Sequence, residues 1–263
     1  MLALAAAVTY LSVPVLHVWG DTNPQLYTAV SWISHGDASL DGYPTGLSNE
    51  VVVNGHVYSA YPPGLALVAA PFVAPFVVGG ASVVDLTFRA LFGRVLAATL
   101  VALSVAFVYL ACRRTARPVP ALLATVGYGF ATSTWAVSSQ ELGQHSASQL
   151  FVAPGAFLAT GRGASAARAG LAFGVAVLVR PLDIIAVLFG ASTVWRRGGV
   201  AALVRYIAWG LPALGFVVTY NLILFGSPVG ALSGEVIPWT FPPPGLAGLL
   251  VSPSRGIFIF SPY

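Results

Sequence analysis

The chain has no lysine: all twelve basic residues among its 263 are arginine. Schiff-base lysine chemistry and a P-loop lysine are therefore excluded. A single cysteine, Cys112, excludes an internal disulfide and a cysteine metal cluster. Charge itself is scarce, at 8% of residues where a soluble domain carries about a quarter. No internal repeat and no low-complexity segment is visible. Residues 1–19 lack the basic stretch that opens a cleavable signal. What the chain does have is apolar length. Hydrophobic residues make up 57% and mean hydropathy is +0.84, which describes one integral membrane unit over 1–263. The pI near 9.5 does not imply nucleic acid, because the arginines are scattered between apolar runs and form no basic face.

The apolar runs cover about 1–19, 63–79, 90–112, 119–136, 146–161, 169–195 and 203–225. They predict an all-α polytopic membrane protein with about seven transmembrane or partly spanning helices. Eight of the twelve arginines fall in three connections: Arg113, Arg114 and Arg117; Arg162 and Arg168; Arg196, Arg197 and Arg205. The positive-inside rule places all three in the cytoplasm. The loop "VSSQELGQH", 137–145, is then outside. Residues 21–62 hold no basic residue and are expected outside too.

The run 63–79 contains Pro71 and Pro75 and is short for a crossing. It is expected to lie along the outer interface, within an outer loop that extends over 21–88. All eight acidic residues and all four histidines then sit at or beyond the outer face. Within that loop, Asn23 and Pro24 predict the start of an amphipathic helix over about 24–35, and Asn54–Gly55 a hairpin turn. The run 169–195 lies between two cytoplasmic arginine clusters and is too short for two crossings. Arg180–Pro181 divides it, which predicts two short helices with a recessed apex beside a polar cavity, the alternative being one kinked span with a mis-sided arginine cluster.

The order of motifs is familiar. A first run ends in Gly20–Asp21, and a large outer loop closes in Tyr61-Pro62-Pro63-Gly64. "QELGQH", then "VRP", then "YNLILFGSPVG" leading to "LLVSPSRGIFIFSP" follow. This resembles the polytopic GT-C glycosyltransferases, in particular the bacterial branch similar to protein mannosyltransferases and the aminoarabinose and arabinofuranosyl transferases. The resemblance covers nearly the whole chain and rests on the order of individually weak motifs. It implies an enzyme of the cytoplasmic (plasma) membrane, multi-pass, with its active site facing outside. Such an enzyme moves a sugar from a polyprenyl-phosphate donor to an acceptor hydroxyl on a lipid, glycan or protein. Two departures stand out. Ala60–Tyr61 replace the charged pair that the aminoarabinose branch carries before its Pro-Pro. The chain also stops at Tyr263 inside a fresh apolar run, so a longer parent protein with further crossings is expected.

The resemblance implies Asp21 as catalytic base, a positioned carboxylate that takes the acceptor's proton as C1 is attacked. Its alternative is a helix-capping role at the loop start. Arg180 and Arg255 are candidates for the departing lipid phosphate, against the alternative of interfacial anchors. Arg94, a turn inside the second crossing, is a weaker candidate that would otherwise pair with Asp85 or Glu235. Tyr61, Glu141 and His145 complete the substrate-binding set. The last two are candidates for the acceptor or for a divalent cation, although two residues fall short of a metal signature. No other cofactor is expected. The competing readings are a secondary transporter or lipid flippase, since broken helices near an arginine also mark transport sites, and a non-catalytic fragment.

Overall fold

The computed structural model describes residues 1–13, 22–44, 46, 49–161, 165–232, 248 and 250–251. Helices dominate: α1 (Leu2–Leu11), α2 (Thr22–Ser34), α3 (Gly64–Val78), α4 (Leu86–Arg113), α5 (Pro118–Phe130), α6 (Gln144–Ala159), α7 (Ser165–Val179) and α8 (Ile184–Phe225). The two strands, β1 (Glu50–Val53) and β2 (His56–Ser59), form the expected antiparallel hairpin. Asn54 and Gly55 both take positive φ at its turn, as a two-residue primed turn requires.

Two helices are long and apolar enough to cross a membrane, α4 and the Pro181–Phe225 stretch that contains α8. Seven such helices are not seen among the described residues, and the reason is punctuation. α5 stops at Phe130 before a polar Thr-Ser-Thr and a π-helical turn, Thr134–Ser138. α7 stops before Arg180–Pro181, where Arg180 is extended and a 3-10 turn, Pro181–Asp183, leads on. α1, α3, α5 and α7 have 10 to 15 residues each, about 15–23 Å of helix.

α8 is two helices joined at a reversal. Gly199, with φ 67° and ψ −164°, leaves the helical region. The Tyr206 hydroxyl donates to the Val187 carbonyl at 2.9 Å. In a straight helix those residues, 19 apart, would be separated by about 28 Å. The chain therefore folds back, and residues 184–198 and 200–225 lie side by side. The second half, about 39 Å long, is the portion able to span. It packs on α7 through glycines. A Cβ on Gly170 would meet the Tyr206 oxygen at 1.9 Å, and one on Gly174 the Gly210 oxygen at 2.8 Å. Small residues in an i, i+4 row let membrane helices approach this closely. Two short helices on either side of Arg180–Pro181 match the expected pair, and the reversal at Gly199 ends the second of them.

The core lies in three patches. Leu26, Val30, Leu65, Val73, Leu96, Leu142 and Val179 join α2, α3, α4 and the end of α7. Tyr10 and Ala6 of α1 pack on Val101 and Val105 of α4. Phe173, Val194 and Tyr206 join α7 to both halves of α8. Outside these patches the apolar surface is open: Ile223 is 75% exposed and Phe189 73%. An exposed apolar girdle of this extent marks a surface made for contact with a non-aqueous neighbour.

α2 begins at Thr22 rather than at residue 24, and it does not lie amphipathically on a surface. Every residue over 22–31 is buried, because α3 covers one side and the segment around Tyr43 covers another. Tyr43 stacks on Tyr27 at 4.8 Å, Trp32 meets Tyr220, and Tyr58 of the hairpin meets Phe225. The loop is thus folded down onto one end of the helices. The arginine-rich connections gather at the opposite end. There Arg114 donates to the Phe157 carbonyl and, at 3.2 Å, to Thr160 Oγ1, while Arg197 donates to the Thr160 carbonyl at 2.7 Å.

Candidate functional site

A cavity of about 380 Å³ opens at the end covered by α2 and the hairpin segment. Its wall takes Thr22 and Gln25 from the first turn of α2 and Tyr61 from the Tyr-Pro-Pro-Gly stretch. The rest comes from residues 136–138 and 140–145, the π-helical turn and the "QELGQH" loop. Three stretches far apart in sequence meet there for local reasons. Thr22 Oγ1 bonds to Glu141 Oε1 at 2.8 Å and approaches the Leu142 carbonyl at 2.5 Å, so the start of α2 is stitched to the loop. Ser146 Oγ accepts from the Gly143 N–H at 3.0 Å, which starts α6 and aims Gln144 and His145 at the cavity. The Tyr61 N–H donates to Ser59 Oγ at 3.2 Å as the hairpin ends.

Gly64 fixes the fourth contribution. A Cβ there would stand 2.4 Å from the backbone of Leu178 and Val179, so only glycine lets α3 start against the end of α7. That contact puts "YPPG" two residues from Arg180. Ser148 of α6 donates to Asp183 Oδ2 in the 3-10 turn. His145 is one helical turn before Ser148, on the same face of α6. Arg180, Asp183 and His145 are consequently close enough for their charges to act on one another. Arg180 itself is half-buried and is not part of the cavity wall.

Arg94 is placed differently. Its guanidinium donates to the carbonyls of Tyr10 at 2.6 Å, Val13 at 3.1 Å and Gln140 at 3.4 Å, and only 4% of the residue is exposed. Tyr10 and Val13 stand at the C-terminal end of α1, where carbonyls lack helical partners and the dipole is negative. Two of the three guanidinium nitrogens, Nη1 and Nη2, are satisfied by these carbonyls. Arg94 fastens α1 and the "QELGQH" loop to α4 and does not line the cavity. Asp85, one of its two expected partners, caps α4 by accepting from the Phe88 N–H at 2.8 Å. Asp21, Arg255 and Glu235 lie outside the described residues, and Asp21 is the chain neighbour of the cavity residue Thr22.

Several cavity residues were not visible as candidates in the sequence. Thr22 and Gln25 follow Asp21, and Gln140 and Gln144 flank Glu141 in "QELGQH", so proximity in sequence was their one signal. Within the cavity wall, the buried Gln144 Nε2 and Gln140 Oε1 have no protein hydrogen-bond partner among the described residues. Orphaned buried polar atoms of this kind call for water or a ligand. Ser148 and Asp183 carried no signal beyond the spacing of Asp183 from Arg180. Among the described residues no group of three or more His, Cys, Asp or Glu side chains could hold a metal ion. The site therefore offers a mixed amide, hydroxyl and carboxylate lining. Such a lining suits a polyhydroxylated ligand. Comparison with known proteins returns no match: no family model, no curated protein and no solved structure is similar to the chain.

Proposed function

We propose that this chain is a membrane-embedded glycosyltransferase of the GT-C kind, which moves a sugar from a polyprenyl-phosphate carrier to an acceptor hydroxyl. The observation that carries this reading is convergence. The start of α2 next to Asp21, Tyr61 of "YPPG" and "QELGQH" line one cavity at the end opposite the arginine-rich connections, and Gly64 of "YPPG" packs on the end of α7 beside "VRP". Arginine connections face the cytoplasm, so the cavity faces the outer side of the cytoplasmic membrane. A lipid carrier would enter from the apolar girdle with its headgroup in the cavity.

The chemistry divides among these residues. Asp21 takes the proton from the acceptor oxygen as that oxygen bonds to C1. The bond from C1 to the carrier's phosphate oxygen breaks, and its electrons stay on the phosphate. Arg180 stabilises that anion, and a guanidinium there is worth more as charge develops than before. Gln25, Gln144 and Tyr61 supply the amides and hydroxyl that orient a sugar, and Glu141 is held for the same task by Thr22. The protein in membranes should release prenyl phosphate from a prenyl-phosphate sugar when acceptor is present. Asp21→Asn should abolish release while insertion is unchanged. Activity within about threefold of the parent would remove Asp21 as the base.

One observation favours a second reading. The broken helix at Arg180–Pro181 beside a polar cavity is also how transport sites are built. A transporter or flippase would move the intact donor across a vesicle without cleaving it, and the same assay separates the two.

A further inference from the structure

The chain has four glutamines, Gln25, Gln140, Gln144 and Gln149. Three line the cavity, and the fourth, Gln149 of α6, bonds to a residue of its wall. The Gln149 Nε2 donates to Thr134 Oγ1 at 3.3 Å and to Ser138 Oγ at 3.2 Å, the two ends of the π-helical turn. Both of its N–H groups are thereby used. Ser138 is only 3% exposed and belongs to the cavity wall. Neighbouring hydroxyls give their protons to carbonyls one turn back, Thr132 to Tyr128 at 2.7 Å and Ser139 to Trp135 at 2.8 Å. Ser138 does not. The carbonyl four residues before it, that of Thr134, takes the Ser139 N–H at 2.9 Å instead. The Ser138 oxygen accepts from Gln149, and its own proton has no acceptor among the described residues.

We infer that Ser138 donates this proton to an oxygen of the headgroup held in the cavity, and that Gln149 is the positioning residue that keeps the proton free by approaching as a donor. The identity of the headgroup rests on the glycosyl-transfer reading, and the accepting oxygen belongs to its sugar or its phosphate. A mere clamp on the turn would work with either polarity, whereas this role works with one. Glutamate at position 149 separates the two. Its carboxylate can bridge the same hydroxyls but only as an acceptor, so Ser138 would turn its proton towards residue 149 and away from the cavity. Leucine removes the bridge and leaves the proton free.

The test is a pair of double-substitution cycles on the full chain in nanodiscs, with a short prenyl-phosphate hexose and prenyl monophosphate as probes. Ser138→Ala should weaken binding about fivefold, the loss of one hydrogen bond. Gln149→Glu should cost about fivefold more with Ser138 present than in the Ser138→Ala background, a comparison that removes the new charge's own repulsion. For Gln149→Leu the same difference should stay below about twofold. Coupling seen with both probes places the accepting oxygen on the phosphate, and coupling with the hexose probe alone places it on the sugar. Gln149→Leu coupled to Ser138 with Gln149→Glu uncoupled would reveal a clamp and overturn the inference, as would no coupling for either. If the parent binds neither probe, the glycosyl-transfer reading fails and thiol reactivity decides. Ser138→Cys in a Cys112→Ser background should react with a small thiol reagent. Its reaction should set in at the lowest pH with Gln149, later with Gln149→Leu and last with Gln149→Glu, because a donor beside the sulfur favours the thiolate and a carboxylate disfavours it. That order supports Ser138 as the cavity's donor to some other oxygen ligand. A thiol that does not react, or whose pH profile ignores residue 149, overturns it.

Discussion

Gly170→Ala is the sharpest perturbation of the fold that places Arg180. In α7, the added methyl would stand 1.9 Å from the Tyr206 carbonyl oxygen and 2.8 Å from its carbon. Ordinary contact begins at 3.4 Å, so the second half of α8 would have to move about 1.5 Å from α7. The obstacle is helix backbone, which cannot rotate aside as a side chain would. Overpacking costs about 1–3 kcal/mol, and a displacement of this size against backbone belongs at the upper end. Alanine in place of a helical glycine returns up to about 1 kcal/mol. The net loss is about 2 kcal/mol, or about 4–8 °C in the midpoint for a chain of this length. The two neighbouring glycines form an internal series. Gly174→Ala meets the Gly210 oxygen at 2.8 Å and should cost less, and Gly210→Ala meets the Gly170 oxygen at 3.3 Å. There helix propensity should cancel the small shift, leaving a change within about 0.5 kcal/mol. Thermal unfolding of the purified protein followed by intrinsic fluorescence reads all three. A Gly170→Ala protein as stable as the parent, or a Gly210→Ala protein less stable than Gly170→Ala, would refute the parallel packing of α7 with residues 200–225.

Two further predictions concern the ends of the molecule. Cysteines placed at Val52 in the hairpin and at Thr115 beside the first arginine connection, in a Cys112→Ser background, should label from opposite faces of intact cells; labelling from one face contradicts the topology. The Val57 amide, followed by His56 at 2.6 Å, holds the Asp41 carboxyl down at about 2, against 3.8 normally. Because the folded value is the lower one, the hairpin's tether to Asp41 is fully present above about pH 4 and is lost as pH falls towards 2. Protease sensitivity of residues 38–60 should rise over that window, and Asp41→Asn should be sensitive already at neutral pH. An Asp41→Asn hairpin as resistant as the parent would show that the carboxylate does not hold it.

The elements legible in the sequence were those set by local chemistry. Asn54–Gly55 announced the hairpin, the Arg180–Pro181 break followed from the residue that precedes proline, and the arginine connections announced one end of the molecule. What escaped was set by contacts between distant segments. Arg94 reads as a functional intramembrane charge until the carbonyls of Tyr10, Val13 and Gln140 are known to surround it. α2 has the composition of an interfacial helix, yet the Tyr27–Tyr43 stack and α3 enclose it. A connection between the runs 169–195 and 203–225 was announced by Arg196, Arg197 and Arg205, but the single residue that makes the reversal, Gly199, was not. Thr22 and Gln144 are ordinary polar residues, and only the meeting of α2 with the "QELGQH" loop and α6 gives them a common place.

The central claim is that one cavity, walled by the start of α2, Tyr61 and the "QELGQH" loop, receives the phosphate end of a prenyl lipid. Photoaffinity mapping tests it most directly. A prenyl phosphate carrying a photoreactive group on its headgroup is irradiated with the protein in nanodiscs, and the modified peptides are sequenced. The account predicts modification at Tyr61 and within residues 136–145, suppressed by excess unmodified prenyl phosphate. Modification confined to lipid-facing positions such as Leu188 and Phe189, and insensitive to competitor, would contradict it.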